Sequence, residues 1–544
     1  MARIIITFAL LGVWVLGFQG VVFGTSVDAD AQVYLTGPVA NPPPLEIEPL
    51  IVSGPSQNRV DLVFFSDGYL LEEKSKFMQD ALRLAEDVSG NHTFNTVKPL
   101  MNFWAAFTAS EESGVGTGGK PKKTPYGLYR DGTELRAVYY AYPEVADAAC
   151  TSMGEQCDFP ILLGNDPLYG GLGGRFTVIT SSILNGPQIL RHELGHSIIP
   201  VGEEYDGGFA YFGVNAYHNA SESVPWAHWM AEEKKKDIES TPPRIERSVM
   251  PIQIYPWTLL NTSSPYTSTF TSSGTFPRYI VRFSLSGLPE ETDLRVELDG
   301  KDLGWKPKVG LGMDRWHYDI KLGQGWGDEN TIELEGSGGL TGGTHELSFV
   351  LLNKAREGEA QLCSAEVLEF GSEEEFVSTP GYYGIFPTYS DTNETSYRPT
   401  NEDCLMRIVT TPNFCSVCLE GLWHALLSQV RLIDDLVVST IKGNEVAGMT
   451  TIEVKLVPFA QFRLDLEKSK FTQSSDWAQL RALAEAEHYT IIWYKDNIAL
   501  PEFENQTKIE VITHATYAVD VRFHTPEVRL DKEGHLGDRR EVVV

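Results

Sequence analysis

The chain has 544 residues, more than one hydrophobic core accommodates, so roughly two to four domains are expected. A hydrophobic content of 42% with 11% aromatics excludes a disordered chain. With 44 basic against 74 acidic residues the formal charge is −30, which repels a phosphate backbone and argues against a nucleic-acid partner, and fits solubility outside the cell.

The first segment reads as an address. Arg3 precedes the apolar run Ile4–Leu16, and small residues at Gly24-Thr25-Ser26 supply an exit, the pattern of a secretory signal peptide over 1–26. Apolar character continues to Phe23, so a signal-anchor is the alternative; no later stretch is long and apolar enough to span a membrane, and no stable insertion is expected after cleavage. Five Asn-X-Ser/Thr sequons, at Asn91, Asn219, Asn261, Asn393 and Asn505, fit an exported glycoprotein.

Residues 27–56 form a Pro-rich linker and lead-in strand. Val60–Phe65 then reads as a buried strand ended by the turn Ser66-Asp67-Gly68. Apolar residues at helical spacing follow across Glu72–Val88, then a second strand at Asn102–Phe107 and a third at Ala137–Tyr140. Strands alternating with helices indicate an α/β sheet for 57–265. The glycine-rich loop Gly170–Gly174 leads into the strand Arg175–Thr180, read as a sheet edge to which an extended peptide could add. From 266 to 375 short strands alternate with Gly/Pro/Asp turns, suggesting an inserted β-sandwich. Residues 376–430, rich in Met and Cys, are read as the second part of the first domain. Residues 431–530 are read as a β-rich, immunoglobulin-like domain with one helix near Ala478–Glu487, and 531–544 as a polar tail without fixed structure. The fold class expected is therefore multidomain α+β.

The chemistry concentrates at His192-Glu193-Leu194-Gly195-His196, an H-E-x-x-H pattern. Residues four apart share one helix face, so both imidazoles can reach a single ion, with Glu193 placed to act on a water there. Ile189-Leu190 and Ile198-Ile199 bury this helix, and buried His and Glu are costly without a partner that an ion supplies. Zn2+ is the expected cofactor, and it needs a third ligand. Pro200 and Gly202 turn the chain back, and the long metzincin motif would place a third His where Gly202 stands. Glu203 is the preferred third ligand and Glu204 the runner-up; Asp206, His218 and His228 are weaker candidates. The six cysteines, Cys150, Cys157, Cys363, Cys404, Cys415 and Cys418, are read as disulfides, with Cys150–Cys157 a plausible local loop. A zinc cluster of Cys404, Cys415 and Cys418 is the lesser alternative, because no fourth ligand is evident.

Arg191-His192-Glu193-Leu194-Gly195-His196-Ser197, followed by Glu203-Glu204-Tyr205, resembles the IgA-peptidase-like family of bacterial and fungal metallopeptidases. Phe65-Ser66-Asp67-Gly68-Tyr69, Glu112-Ser113-Gly114, Tyr397-Arg398-Pro399, Cys404-Leu405-Met406-Arg407 and Phe414-Cys415-Ser416-Val417-Cys418 carry the same resemblance, over about 57–210 and 397–425. It implies a metzincin-like catalytic domain, zinc and hydrolysis of protein or peptide substrates, with Met406 as the methionine turn beneath the metal. Glu203 stands where the family often has Asp, and cleavage of IgA itself does not carry over. The expected reaction is water attack on a peptide carbonyl, with Glu193 as general base and Tyr205 as an orienting residue or a packed aromatic. The rival readings are an inactive binding or adhesion module on the same fold and a zinc amidase acting on small substrates.

Overall fold

The computed structural model describes residues 41–544 apart from 91, 219–222, 231–243, 324–325, 327–337, 441–448, 464–474 and 513. The expected signal segment and the sequons at Asn91 and Asn219 lie outside the described residues. Asn261, Asn393 and Asn505 are exposed. No helix among the described residues is long and apolar enough to cross a membrane.

The fold is mixed α/β with several sheets. The first sheet holds β1 (Glu46–Ile51), β2 (Val60–Asp67), β3 (Met101–Phe107), β4 (Phe159–Gly164), β5 (Gly171–Leu172) and β6 (Thr177–Thr180), in the order β1-β3-β2-β4-β6-β5. Strands β3, β2, β4 and β6 run parallel, and β1 and β5 are antiparallel edges. Alternation along the inner strands covers both faces. Leu62, Phe64, Ile161, Leu163 and Ile179 join one core, and Val63, Phe65, Leu162 and Val178 join another. The first core takes helices α1 (Lys74–Gly90), α2 (His92–Val97) and α4 (Gly186–Ile198); α3 (Pro143–Ser152) packs on the second.

Several expectations are corrected here. Ala137–Tyr140 is not a third strand of the sheet: only Tyr139–Tyr140 is extended, paired with Leu128–Tyr129 in a separate ribbon. The strand the sequence conceals is β4, a short apolar run opened by Phe159-Pro160, which periodicity alone does not distinguish from other buried segments. The expected edge at Arg175–Thr180 is internal, because Gly171–Leu172 folds back outside it.

The β-rich region begins at Ser248, not near residue 266. Ser248–Ile254 pairs with Gln361–Phe370, and Pro251 within that strand disguises it in the sequence. Gln361–Phe370 pairs in turn with Arg278–Ser286, and a second sheet is built on Tyr266–Ser272, Gly343–Leu351 and Leu294–Leu298. The two sheets enclose a core of their own, with Phe283 of one edge-on to Phe349 of the other at 5.5 Å.

The C-terminal strands form a three-stranded and a four-stranded sheet. The tail is ordered: Gly537–Val543 pairs antiparallel with Thr516–His524, and its alternating charged residues lie on an exposed edge where Arg539 bridges Asp520 and Glu541. These sheets share the first domain's core. Trp423, on α5 (Ser416–Leu427), packs at a tilt against Phe459 and Phe523, with ring centroids 5.1 and 5.7 Å away.

Glu420 on α5 fastens that junction, accepting hydrogen bonds from Trp229 Nε1, the Arg529 and Leu530 amides and His228 Nε2. Burial alone would raise its carboxyl, but these donors hold it below the usual carboxylate range. A depressed carboxyl stabilises the fold above the unfolded-state value near 4.5 and loses that contribution as pH falls. Glu420→Gln is expected to cost about 2 kcal/mol at neutral pH in denaturant unfolding, with the difference shrinking below about pH 4.5. A pH-independent difference would contradict the assignment.

Candidate metal centre

Helix α4 starts with Pro187 in its first turn, where a missing N–H costs nothing, and stops at Ile199, which is extended before Pro200. Ile189, Leu190, Leu194 and Ile198 bury it in the core, and Arg191 ion-pairs with Asp87 of α1. The opposite face presents His192 and His196, with Nε2 atoms 3.3 Å apart.

After the helix the chain turns back as the sequence suggested. A Cβ at Gly202 would lie 2.3 Å from the Ala210 carbonyl oxygen and 2.5 Å from the Phe212 nitrogen, so no side chain fits there. Glu203 follows, its amide bonded to Ala210 O at 2.8 Å, and its carboxylate reaches both rings: Oε1 is 3.0 Å from His196 Nε2 and Oε2 is 3.3 Å from His192 Nε2. Each ring turns its Nδ1 to a main-chain carbonyl at 3.2 Å, His192 to Leu405 O and His196 to Val201 O. An Nδ1–H donated there leaves the Nε2 lone pair for a ligand.

The donor set of His192, His196 and Glu203 therefore fits a divalent ion such as zinc: two imidazole nitrogens and a carboxylate converge, with tautomers fixed from behind. The electrostatics agree. Burial opposes charge on both rings, yet Glu203 outweighs it and pushes His196 up to about 9 and His192 above its ordinary value. Burial would raise Glu203, and the two imidazoles hold it far below instead.

Glu193 sits beside this cluster. Burial raises its carboxyl above the usual range, against the pull of the two imidazoles. Its room comes from the edge strand: a Cβ at Gly173 would lie 2.7 Å from Glu193 Oε2, and one at Gly171 would lie 2.3 Å from Ile189 Cγ2. Gly171→Ala is accordingly expected to cost about 1–3 kcal/mol of stability and to lower activity with it, read by thermal unfolding beside the wild type.

The other candidates lie elsewhere. Glu204, the runner-up, faces away, with Oε1 accepting from Asn215 Nδ2 at 2.8 Å. Asp206 is buried against Arg407 at 2.7 Å and the Tyr389 amide at 2.8 Å. His218 bonds Tyr211 O, and His228 bonds Glu420. Met406 is fully buried beneath α4, where a Cβ at Gly195 would lie 3.3 Å from its sulfur. Tyr205 is half-buried. The preference for disulfides is corrected for four cysteines: Cys150 and Cys157 stand at bonding distance, whereas Cys363, Cys404, Cys415 and Cys418 are free and buried.

Two features escaped the sequence. One is the Leu405 carbonyl that orients His192, since a main-chain acceptor leaves no residue signal. The other is the wall supplied by the sandwich, where Asp314 accepts from the Tyr169 amide, Ser182 and Asn185, and Arg315 lies over the Tyr169 ring at 4.7 Å.

Fold and cluster together define an α/β domain bearing a two-histidine, one-carboxylate centre of the kind that binds a metal. Residues 48–239, which contain that centre, match the family model described as IgA Peptidase M64, so the resemblance carried by the helix motif and the acidic pair is borne out over this segment. No curated protein matches the chain. Among solved structures, an exo-β-1,3-galactanase from Phanerochaete chrysosporium is 15% identical over 22% of this chain and 29% of its own, with a TM-score of 0.14. A GH2 β-galacturonidase from Eisenbergiella tayi is 10% identical over 51% of this chain and 34% of its own, with a TM-score of 0.09. Neither likeness carries an argument about this chain.

Proposed function

We propose that the chain is an exported zinc endopeptidase whose metal is held by His192, His196 and Glu203 and whose general base is Glu193. The observation that carries this reading is the convergence of the two Nε2 atoms and one carboxylate within hydrogen-bond distance, beside a second, separate carboxylate. A zinc ion there lowers the pKa of water toward about 7 and polarises a carbonyl.

The protein's own groups do the rest. Glu193, its carboxyl raised by burial, is matched to take a proton from the attacking water and return it to the leaving amine. Gly171–Leu172 is the edge of the sheet alongside α4, so an extended peptide would add to it as a further strand and pass its backbone over Glu193. Peptide-length substrates, not small amides, use that edge. Met406, beneath the centre, takes the place of the methionine turn in a metzincin-like domain, and the C-terminal sheets are read as immunoglobulin-like. The signal-like segment at 1–26 and the exposed sequons at Asn261, Asn393 and Asn505 support export and glycosylation.

Purified chain is expected to cleave unfolded casein-like protein, to stop with a chelator and to recover with Zn2+. Glu203→Ala is expected to lose bound zinc and activity together, by metal analysis and peptide release. A zinc-loaded wild type that cuts no member of a broad peptide library would instead favour the binding module.

A further inference from the structure

The three thiols in the Cys404–Cys418 region are not isolated. Cys404, Cys415, Cys418 and Glu204 are all buried, and one ligand atom from each lies within 4.8 Å of every other. Cys404 Sγ is 3.8 Å from Cys418 Sγ, and Cys418 Sγ is 3.7 Å from Glu204 Oε1. Glu204 is 1% exposed, and its Oε2 has no hydrogen-bond partner. Burial pushes this carboxyl well above its ordinary range, as expected for an acid whose ionised form lacks a close cation.

We propose that these four side chains form a second metal site, closed and structural, for a thiophilic divalent ion, zinc in kind. It goes beyond the peptidase reading and does not rest on it. Four donors at one point match a tetrahedral structural site, and a set dominated by sulfur selects a soft or borderline ion. A disulfide accounts for the cluster less well, because three sulfurs leave one over and leave Glu204 Oε2 still unmatched. Cys415 caps the start of α5 and Cys418 lies in its first turn. The Cys415 amide already points at Cys404 Sγ, at 3.4 Å, the N–H···S contact that supports a thiolate. On binding, each thiol releases its proton to solvent as its sulfur takes the metal.

The site's place in the chain gives it a purpose. Glu204 adjoins Glu203, and Cys404 adjoins Leu405, whose carbonyl orients His192. The Glu204 amide bonds Met406 O at 3.0 Å. One ion would thus pin the returning loop, the turn beneath α4 and the start of α5, fixing the third ligand and the orienting carbonyl of the first centre together.

The test uses the intact chain, reduced and titrated with Co2+, as wild type and as His192→Ala/His196→Ala. The expected result is a strong sulfur-to-cobalt charge-transfer absorption in both, one equivalent per chain in the double variant, displaced by Zn2+ and abolished by adding Cys415→Ser. Glu204→Gln, which keeps every sulfur, is expected to retain the absorption with affinity lowered at least about tenfold. Absence of the absorption from wild type, its full survival in Cys415→Ser, unchanged affinity in Glu204→Gln, or a disulfide among Cys404, Cys415 and Cys418 in natively secreted chain would each overturn the proposal. The double variant separates this outcome from any failure of the first centre.

Discussion

Replacing Glu193 by alanine is expected to lower peptide hydrolysis by about 10³-fold while leaving bound zinc and thermal stability near wild type. The expectation follows from the division of labour between the carboxylates. Glu203 touches both imidazoles, at 3.0 and 3.3 Å, and is the proposed third ligand. Glu193 touches neither at that range and leans instead toward Gly171 and Gly173, where the peptide is to lie. Burial raises its carboxyl above the usual carboxylate range. Glu193→Gln, which keeps shape and removes basicity, should fall almost as far as Glu193→Ala. Steady-state kinetics with metal analysis on the same samples decides the matter. If the alanine variant keeps full turnover, another base is at work; if it loses zinc, Glu193 is a ligand and the roles are exchanged.

The helix motif was legible because its information is local. A spacing of four fixes His192 and His196 on one face whatever the rest of the chain does. The preference for Glu203 over Glu204 had no local pattern behind it. Neighbouring residues on an extended segment face opposite ways, and only the position of Gly202 against the Ala210–Phe212 backbone decides which acid turns toward the rings. The fourth member of the cysteine cluster was hidden for a different reason. Glu204 lies 200 positions before Cys404, so the pairing exists only once the loop after α4 meets the turn beneath it. The same holds for the sheet. Val60–Phe65 announces itself by five apolar positions in six, but β4 carries a proline at its second position and is too short to separate from a buried helix by pattern. The tail shows the converse error, where a charged sequence was taken for a solvated one although charges suit an exposed edge strand.

The largest stability effect is expected at Arg407. This buried guanidinium holds three things at once: Asp206 Oδ2 at 2.7 Å, the Glu204 carbonyl at 2.9 Å, and Glu402 through Nε and Nη2. Burial opposes its charge, but Asp206 and Glu402 raise it well above the ordinary value. Glu402 would likewise be raised by burial, yet Arg407, Arg282 and Arg398 hold it far below the usual range. Arg407→Met keeps the stem's bulk and leaves Asp206 buried without its cation, so a loss of about 3–5 kcal/mol is expected in denaturant unfolding. Arg407→Lys restores charge but not the fork, and should recover only part. The sign of the pH dependence follows from Glu402: a depressed carboxyl contributes stability above about pH 4.5 and loses it as pH falls toward its lowered value. The gap between wild type and Arg407→Met should therefore narrow in acid. Because Arg407 ties the Glu203–Asp206 loop to the turn carrying Leu405, zinc affinity should weaken alongside stability. A variant that lost stability and kept full zinc affinity would show that the metal loop is held by its own hydrogen bonds alone.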